Sequence, residues 1–334
     1  MRLSLKIPLA IVVPAVLAAI VTSIIGLVAA TSSLRHTLGD ELQTVTEGRA
    51  NQIDAFLSAT RSDLRLIAAA TSSVRALEDF SAGWNKLESD QEAYLQRHYI
   101  DSNANPIGEK HKLKAAADGS LYSSYHSAYH PEFRRVLEER GYYDIFLIDM
   151  AGNVIYTVFK ELDYATNLYD GKWQDTGLAR VFTATRDAAS AESMSFDDFA
   201  PYAPSYDAPA SFMAAPVFDG QRQIGVMAIQ MPIDRINQVL NAQTTALGET
   251  GEVILVGADH LARNDTRFTK DAILQRTVDN MAAVAGLKGE KGVVEIGDRL
   301  VAHAPFSFMG TPFAIIAQID TEEAMQAVDD LLVK

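Results

Sequence analysis

The sequence predicts an α+β protein: an apolar N-terminal helix, a long amphipathic helix after it, and two antiparallel-sheet units in tandem. Three observations carry that expectation. Ile7–Ala30 is a run of 24 residues without a charge. From Ser32 to about Ile100 there is no proline, and apolar residues recur at three- and four-residue steps. From Tyr143 onward the texture changes to short apolar runs broken by Asp/Gly turns.

An uncharged run of about 24 residues is long enough to cross the ~30 Å hydrocarbon core as a helix. Arg2 and Lys6 precede it with no acidic neighbour, so residues 1–6 are expected in the cytoplasm and everything from Thr31 outside. A cleaved secretory signal usually has an apolar region of only about 7–15 residues, which favours an uncleaved anchor. The expected location is therefore the bacterial inner (cell) membrane, with the soluble part extracytoplasmic or periplasmic.

Composition narrows the rest. The 334 residues leave room for two modest domains after the anchor. The formal charge is −14, and the exported part, without Arg2 and Lys6, is more acidic still. Such a surface disfavours nucleic acid and anionic lipid as partners. There is no cysteine, which removes disulfides, thiolate metal sites and cysteine nucleophiles. Nearly half the residues are apolar, enough to bury a core.

The long helix is read from Leu34, Leu38, Leu42, Val45, Ile53, Phe56, Leu57, Leu64 and Ile67, continuing through Val74, Leu77, Phe80 and Trp84. Asp40, Glu41, Glu47, Arg49, Arg61 and Asp63 lie between them as the polar side. Gly48 and Gly83 are expected to weaken the helix without ending it. Its stripe must be buried on its own domain, on a second copy, or both, and a homodimer through this helix is the expected assembly. Asn103–Gly119 reads as a loop with a short helix. Helical spacing returns over Tyr122–Arg140 and stops at Gly141. Residues 31–141 thus form a stalk helix and helical connector.

Tyr143–Asp149 and Val154–Phe159 form a hairpin across Ala151–Asn153, and Ser211–Phe218 pairs with Gln223–Pro232 across Asp219–Gly220. Asp234–Thr245 is a helix. The theme restarts at Gly251, where GEVILVGADHLARN reads as strand, turn and strand. Gly292–Ile296, Leu300–Phe306 and Phe313–Ile319 complete the second set. Thr321–Val333 is a terminal helix with Thr321 as its N-cap. The expected units are 142–235, then 236–320 with its leading linker helix, then 321–334.

That order, and the segments GYYDIFLIDMAGNVIYTVFKELDYATNL, APVFDGQRQIGVMAIQMPIDRINQVL, LGETGEVILVGADHLARNDTRF and FAIIAQIDTEEA, resemble the double Cache (dCache) sensing module. Such modules occur in bacterial methyl-accepting chemotaxis proteins, sensor kinases and nucleotide cyclases. The resemblance implies two PAS-like folds stacked along the stalk, with ligand in the membrane-distal one. It also implies that residues 321–334 lead toward a second transmembrane helix beyond Lys334. The Arg-x-Trp-Tyr signature of amino-acid-binding members is absent; the nearest stretch is Gly171-Lys172-Trp173-Gln174, so an amino-acid ligand does not follow.

A pocket needs an apolar wall with a few fixed polar groups. Tyr156, Lys160, Tyr164, Asn167, Trp173, Asp198, Tyr202, Tyr206, Asp207 and Phe212 supply such material. The aspartate that the resemblance places before the later strand pair, to hold an ammonium group, falls on Asp198 or Asp207. Against a ligand role, the tyrosines also suit half-buried packing, and the aspartates suit turns beside Pro201, Pro204 and Pro209. His126 and His130, with His111 upstream, have the spacing of a shared metal site but no HExxH pattern. They are expected to be surface or capping groups, with Pro131 ending their helix, and no metal or cofactor is expected. G-x-S-x-G and phosphate-loop motifs are missing, so catalysis is not expected. The expected function is ligand sensing for a transmembrane receptor, probed against two other readings: a kinase or cyclase sensor, and a membrane-tethered scaffold for a periplasmic protein.

Overall fold

One apolar stripe sets the course of the first helix. The structure, a computed structural model, describes residues 3–88, 90–242 and 247–325. The side chains of residues 1–13 and of Leu34 lie outside that description, as do Arg2, residues 243–245 of the expected linker helix, and the expected terminal helix beyond residue 325. Helix α1 runs unbroken over Leu3–Ala69, about 100 Å at the usual rise. Its first half exposes Val16, Ile20, Ile24 and Val28 all round, and it alone among the described residues is long and apolar enough to cross a membrane. Its second half buries Leu42, Thr46, Ile53, Leu57, Leu64 and Ala68 along one face.

The helix does not continue to Ile100. Ala70 is extended (ψ 139°), and α2 (Thr71–Trp84) starts in a new direction with Leu77 and Phe80 buried. No Gly or Pro marks this break; it lets α2 lie over the first sheet, a tertiary demand that overrides local propensity. Nor does the helix pass through Gly83 unchanged, since α2 ends one residue later. Gly83 packs against helix α4 (Leu121–Arg140), where a Cβ would stand 2.9 Å from the Tyr122 Cα. Between them lie the short α3 (Gln91–Gln96), a π turn at Arg97–Asp101 and a 3-10 turn at Lys110–Lys112. Helix α4 continues through Pro131, contrary to expectation, and stops at Gly141 with a left-handed φ of +74°.

The first sheet has the order β2-β1-β5-β4-β3, all antiparallel, from β1 (Asp144–Asp149), β2 (Val154–Thr157), β3 (Ser195–Tyr202), β4 (Ala208–Asp219) and β5 (Arg222–Gln230). Strand β2 is shorter than expected because the backbone after Thr157 turns to wrap the Asp144 carboxylate. Strand β3 has no counterpart in the sequence-based expectation. Helix α5 (Gly177–Arg186) covers one sheet face, and α1, α2 and α4 cover the other.

Helix α6 (Ile233–Asn241) leads to the second sheet, ordered β6-β9-β8-β7 from β6 (Glu252–Gly257), β7 (Gly292–Ile296), β8 (Arg299–Phe308) and β9 (Thr311–Asp320). The expected strand after β6 reduces to isolated bridges, Val256↔Ala262 and Leu261↔Thr277, because the chain turns at His260 (φ +63°). Helix α7 (Met281–Leu287) covers this sheet's outer face. The second sheet lies nearer the apolar end of α1: Gly39 faces Val293 and Arg35 pairs with Glu295 at 3.1 Å. The first sheet is therefore distal.

Gly83→Ala tests the α2–α4 approach. Alanine favours a helix by about 1 kcal/mol, while overpacking against backbone costs about 1–3 kcal/mol. Thermal denaturation should show a lower Tm; an unchanged or raised Tm would contradict the close packing.

Candidate ligand-binding site

Strand pairing brings three residues into one row on the α5 face of the distal sheet. Gln230 of β5 lies opposite Asp144 of β1 and opposite Phe212 of β4. Tyr202, at the end of β3, meets Phe212 edge-on at 4.8 Å, and Phe212 meets Phe146 at 6.2 Å. Trp173 closes the side, its indole N–H donating to the Leu162 carbonyl at 3.0 Å. A Cβ on Gly177 would stand 2.6 Å from Asp197 Oδ2 and 3.0 Å from the Phe212 ring, so a glycine here lets α5 approach this closely.

The segment after β2 adds acid groups. Asp144 is fully buried and accepts from the amides of Val158 (2.9 Å) and Phe159 (3.0 Å) and from the Thr157 hydroxyl (2.7 Å). Burial pushes its carboxyl up to about 7 against the pull of these donors. Asp163 is 1% exposed; Tyr202 donates its hydroxyl to Oδ2 at 2.6 Å, and Oδ1 has no partner. Burial raises it well above the usual carboxylate range, and nearby Asp144 and Glu161 add to the shift. Glu161 is also raised by burial while accepting from Tyr143 (2.9 Å) and Ser205. Gln230 Oε1 is buried without a partner as well. Among the described residues none of the three carboxylates forms an ion pair. An unpaired buried polar atom costs about 1–3 kcal/mol, so two of them in one cluster mark a place suited to meet a polar ligand.

Lys160 is 1% exposed and takes a left-handed φ of +60°. Its ammonium donates to the Val158 carbonyl at 3.0 Å and lies 5.6 Å from the Tyr156 ring centre. Burial lowers it to about 7, opposed by the charge of Asp144.

The remaining expected residues fall elsewhere. Tyr156 and Tyr164 lie in the core with Tyr99 and Tyr122, their hydroxyls bonded to His130 and Tyr122 respectively. Asn167 bonds Ala151 and Asn153 and fastens the β1–β2 turn. Asp198 forms an ion pair with Arg263 at 2.8 Å, joining the two sheet units. Tyr206 and Asp207 form an exposed left-handed turn. The acids gathered here are thus the buried Asp144 and Asp163 and the half-buried Glu161, which sequence reasoning missed. The one available signal was Asp144, a charge at the head of an apolar strand.

His126 and His130 are not surface groups. They are buried and stacked at 4.5 Å, with His126 Nδ1 2.7 Å from the Lys114 carbonyl and His130 Nε2 2.7 Å from that of His111. Burial lowers both, His130 to about 2, so they are neutral. No cluster of three or more potential metal ligands occurs among the described residues.

The family model of the Cache domain in its double form, dCache_1, matches residues 30–328. The chain belongs to this family. No curated protein matches it in sequence. Similar solved structures include the ligand-binding domain of the Pseudomonas fluorescens chemoreceptor CtaA in complex with L-serine. It has 13% identity and a TM-score of 0.47, over 86% of this chain and 99% of that one. The Pseudomonas aeruginosa chemoreceptor PctC domain in complex with GABA has 13% identity and a TM-score of 0.46, over 84% and 99%. A domain of a sensory box/GGDEF family protein from Vibrio parahaemolyticus has 8% identity and a TM-score of 0.48, over 87% and 99%. As a double Cache module the chain is an extracytoplasmic sensor domain, and α1 supplies a candidate membrane anchor.

The raised Asp163 carboxyl gives a signed prediction. The folded chain keeps this proton where the unfolded chain has lost it, so the associated stability is full below about pH 4 and is lost as pH rises. Asp163→Asn removes that loss. Its Tm relative to the parent should climb between about pH 5 and about pH 8; a constant difference would mean that Asp163 ionises freely in the fold.

Proposed function

We propose that this chain is the ligand-sensing region of a bacterial inner-membrane receptor of the methyl-accepting chemotaxis type. A small molecule binds in the distal unit between α5 and the sheet, and two copies associate through α1. The observation that carries the reading is the pair of unpartnered buried polar atoms, Asp163 Oδ1 and Gln230 Oε1, beside the aromatic cluster of Tyr202 and Phe212 in a Cache domain. This cluster offers carboxyl groups, an amide and a phenol, which suit a ligand rich in hydrogen-bonding groups. Trp173, Tyr202 and Phe212 supply the apolar contact.

Signalling requires that the ligand favour one of two arrangements. A hundredfold preference supplies about 2.7 kcal/mol, enough to move a poised receptor. Strand β3 gives the distal unit a direct mechanical connection: it carries Tyr202 at the chamber and Asp198 at the ion pair to Arg263.

The test is a thermal-shift screen of the full chain with a panel of small amines, amides and polyols. A stabilising compound should appear, and Tyr202→Phe and Asp163→Asn should each reduce its affinity by about tenfold, the worth of one strong hydrogen bond. Failure of every compound, or a shift untouched by both substitutions, would remove the distal site.

A further inference from the structure

A second recess opens where the two units meet the stalk. It is a crevice of about 730 Å³ between α1, the C-terminal end of α4 and helix α6, within the usual size of small-molecule sites. Its floor is apolar, formed by Ala55, Phe56, Ala59 and Val239.

Three arginines and two acids, Asp63 and Glu139, line it, and two of the arginines are already committed. Arg49 donates to Gln52 at 2.6 Å and to the carbonyls of Val239 and Ala242 at the end of α6. Arg140 pairs with Asp63 at 3.2 Å. Arg235 is exposed and donates to Gln238 Oε1 at 3.3 Å, and among the described residues it has no carboxylate partner. Tyr142 is the second, independent observation. It lines the crevice and is only 4% exposed, yet its hydroxyl has no partner. Burial keeps that phenol protonated, so it is available as a donor.

We infer that this crevice binds a small organic acid, with its apolar body on the Phe56 floor and its carboxylate held by Arg235 and the Tyr142 hydroxyl. A guanidinium offers paired N–H groups that match a carboxylate, and the phenol supplies a third donor. A neutral ligand would leave Arg235 unused. An inorganic anion would leave the apolar floor bare. This site is separate from the distal chamber and does not depend on it. Because its walls come from the stalk, the distal unit's α4 and the connecting helix α6, an occupant contacts three elements that join the distal unit to the stalk.

The experiment uses the full chain in phosphatidylcholine nanodiscs, with benzoate and hexanoate as probes in calorimetric titrations. Saturable binding at about millimolar Kd or tighter is expected for both acids. Arg235→Gln should weaken it about tenfold. Tyr142→Phe should weaken it severalfold without lowering the Tm, which separates a binding role from a packing one. Asp163→Asn in the distal chamber should leave it unchanged. Absence of saturation by either acid up to about 10 mM would overturn the assignment, as would equal affinity in the Arg235 and Tyr142 variants. So would efficient crosslinking of two copies through Ala59→Cys, clean in a chain without cysteine, because the crevice would then be an interface between copies.

Discussion

Both sheets depend on the same few turns of α1. Each sheet has one face covered by a helix of its own unit, α5 or α7, and a second face that stays apolar until the stalk lies against it. A single stripe from Leu42 to Ala68 serves both, so the core on that side runs through the two units without interruption. Burial of this kind is the main favourable term in folding. The stalk is therefore the common wall of two small domains, neither of which closes a core without it.

Polar contacts then fix how the units sit along that wall. Arg263, 3% exposed in its side chain, bridges Asp198 of β3 and Asp259 of the second unit. Phe196 packs edge-on against Phe308 across the same junction, 5.1 Å apart. Arg49, a buried arginine in the stripe, satisfies carbonyls at the end of α6, where a positive charge also suits the helix dipole. A nine-residue helix is too short to be stable in isolation; buried Ile236 and Leu240, together with this contact, hold it. A displacement in the distal unit thus has defined contacts to act on before it reaches the membrane.

What was legible in the sequence was what periodicity records. The apolar run, the stripe on α1, helix α4 with its glycine stop, the β1–β2 and β4–β5 hairpins and the second strand set all follow from spacing and turn residues. What was not legible was placed by tertiary contact. Ala70 breaks a helix with no local signal. Strand β3, SFDDFAPY, carries two acids and a proline, and an edge strand tolerates what a central one would not. Arg49 reads as a surface charge until α6 arrives 190 residues later. The acid cluster has the same origin, because Asp163 meets Tyr202 only across a separation of 39 positions in the chain. The histidines read as surface groups because their partners, the carbonyls of Lys114 and His111, come from the connector before α4, whose packing no local pattern records.

The strand orders carry a consequence for how the molecule is made. In the second sheet β9 is last in the chain yet lies between β6 and β8; in the first, β5 lies between β1 and β4. Neither sheet can be completed strand by strand as the polypeptide emerges. During synthesis and export the stalk comes out first with its stripe bare, and β6 has no neighbour until residues 311–320 arrive to fill the gap. Pairings so far apart in sequence make folding slow and leave apolar surface uncovered for its duration. An exported chain of this design spends its youngest moments as its most aggregation-prone form, and its excess of negative charge opposes association from the start.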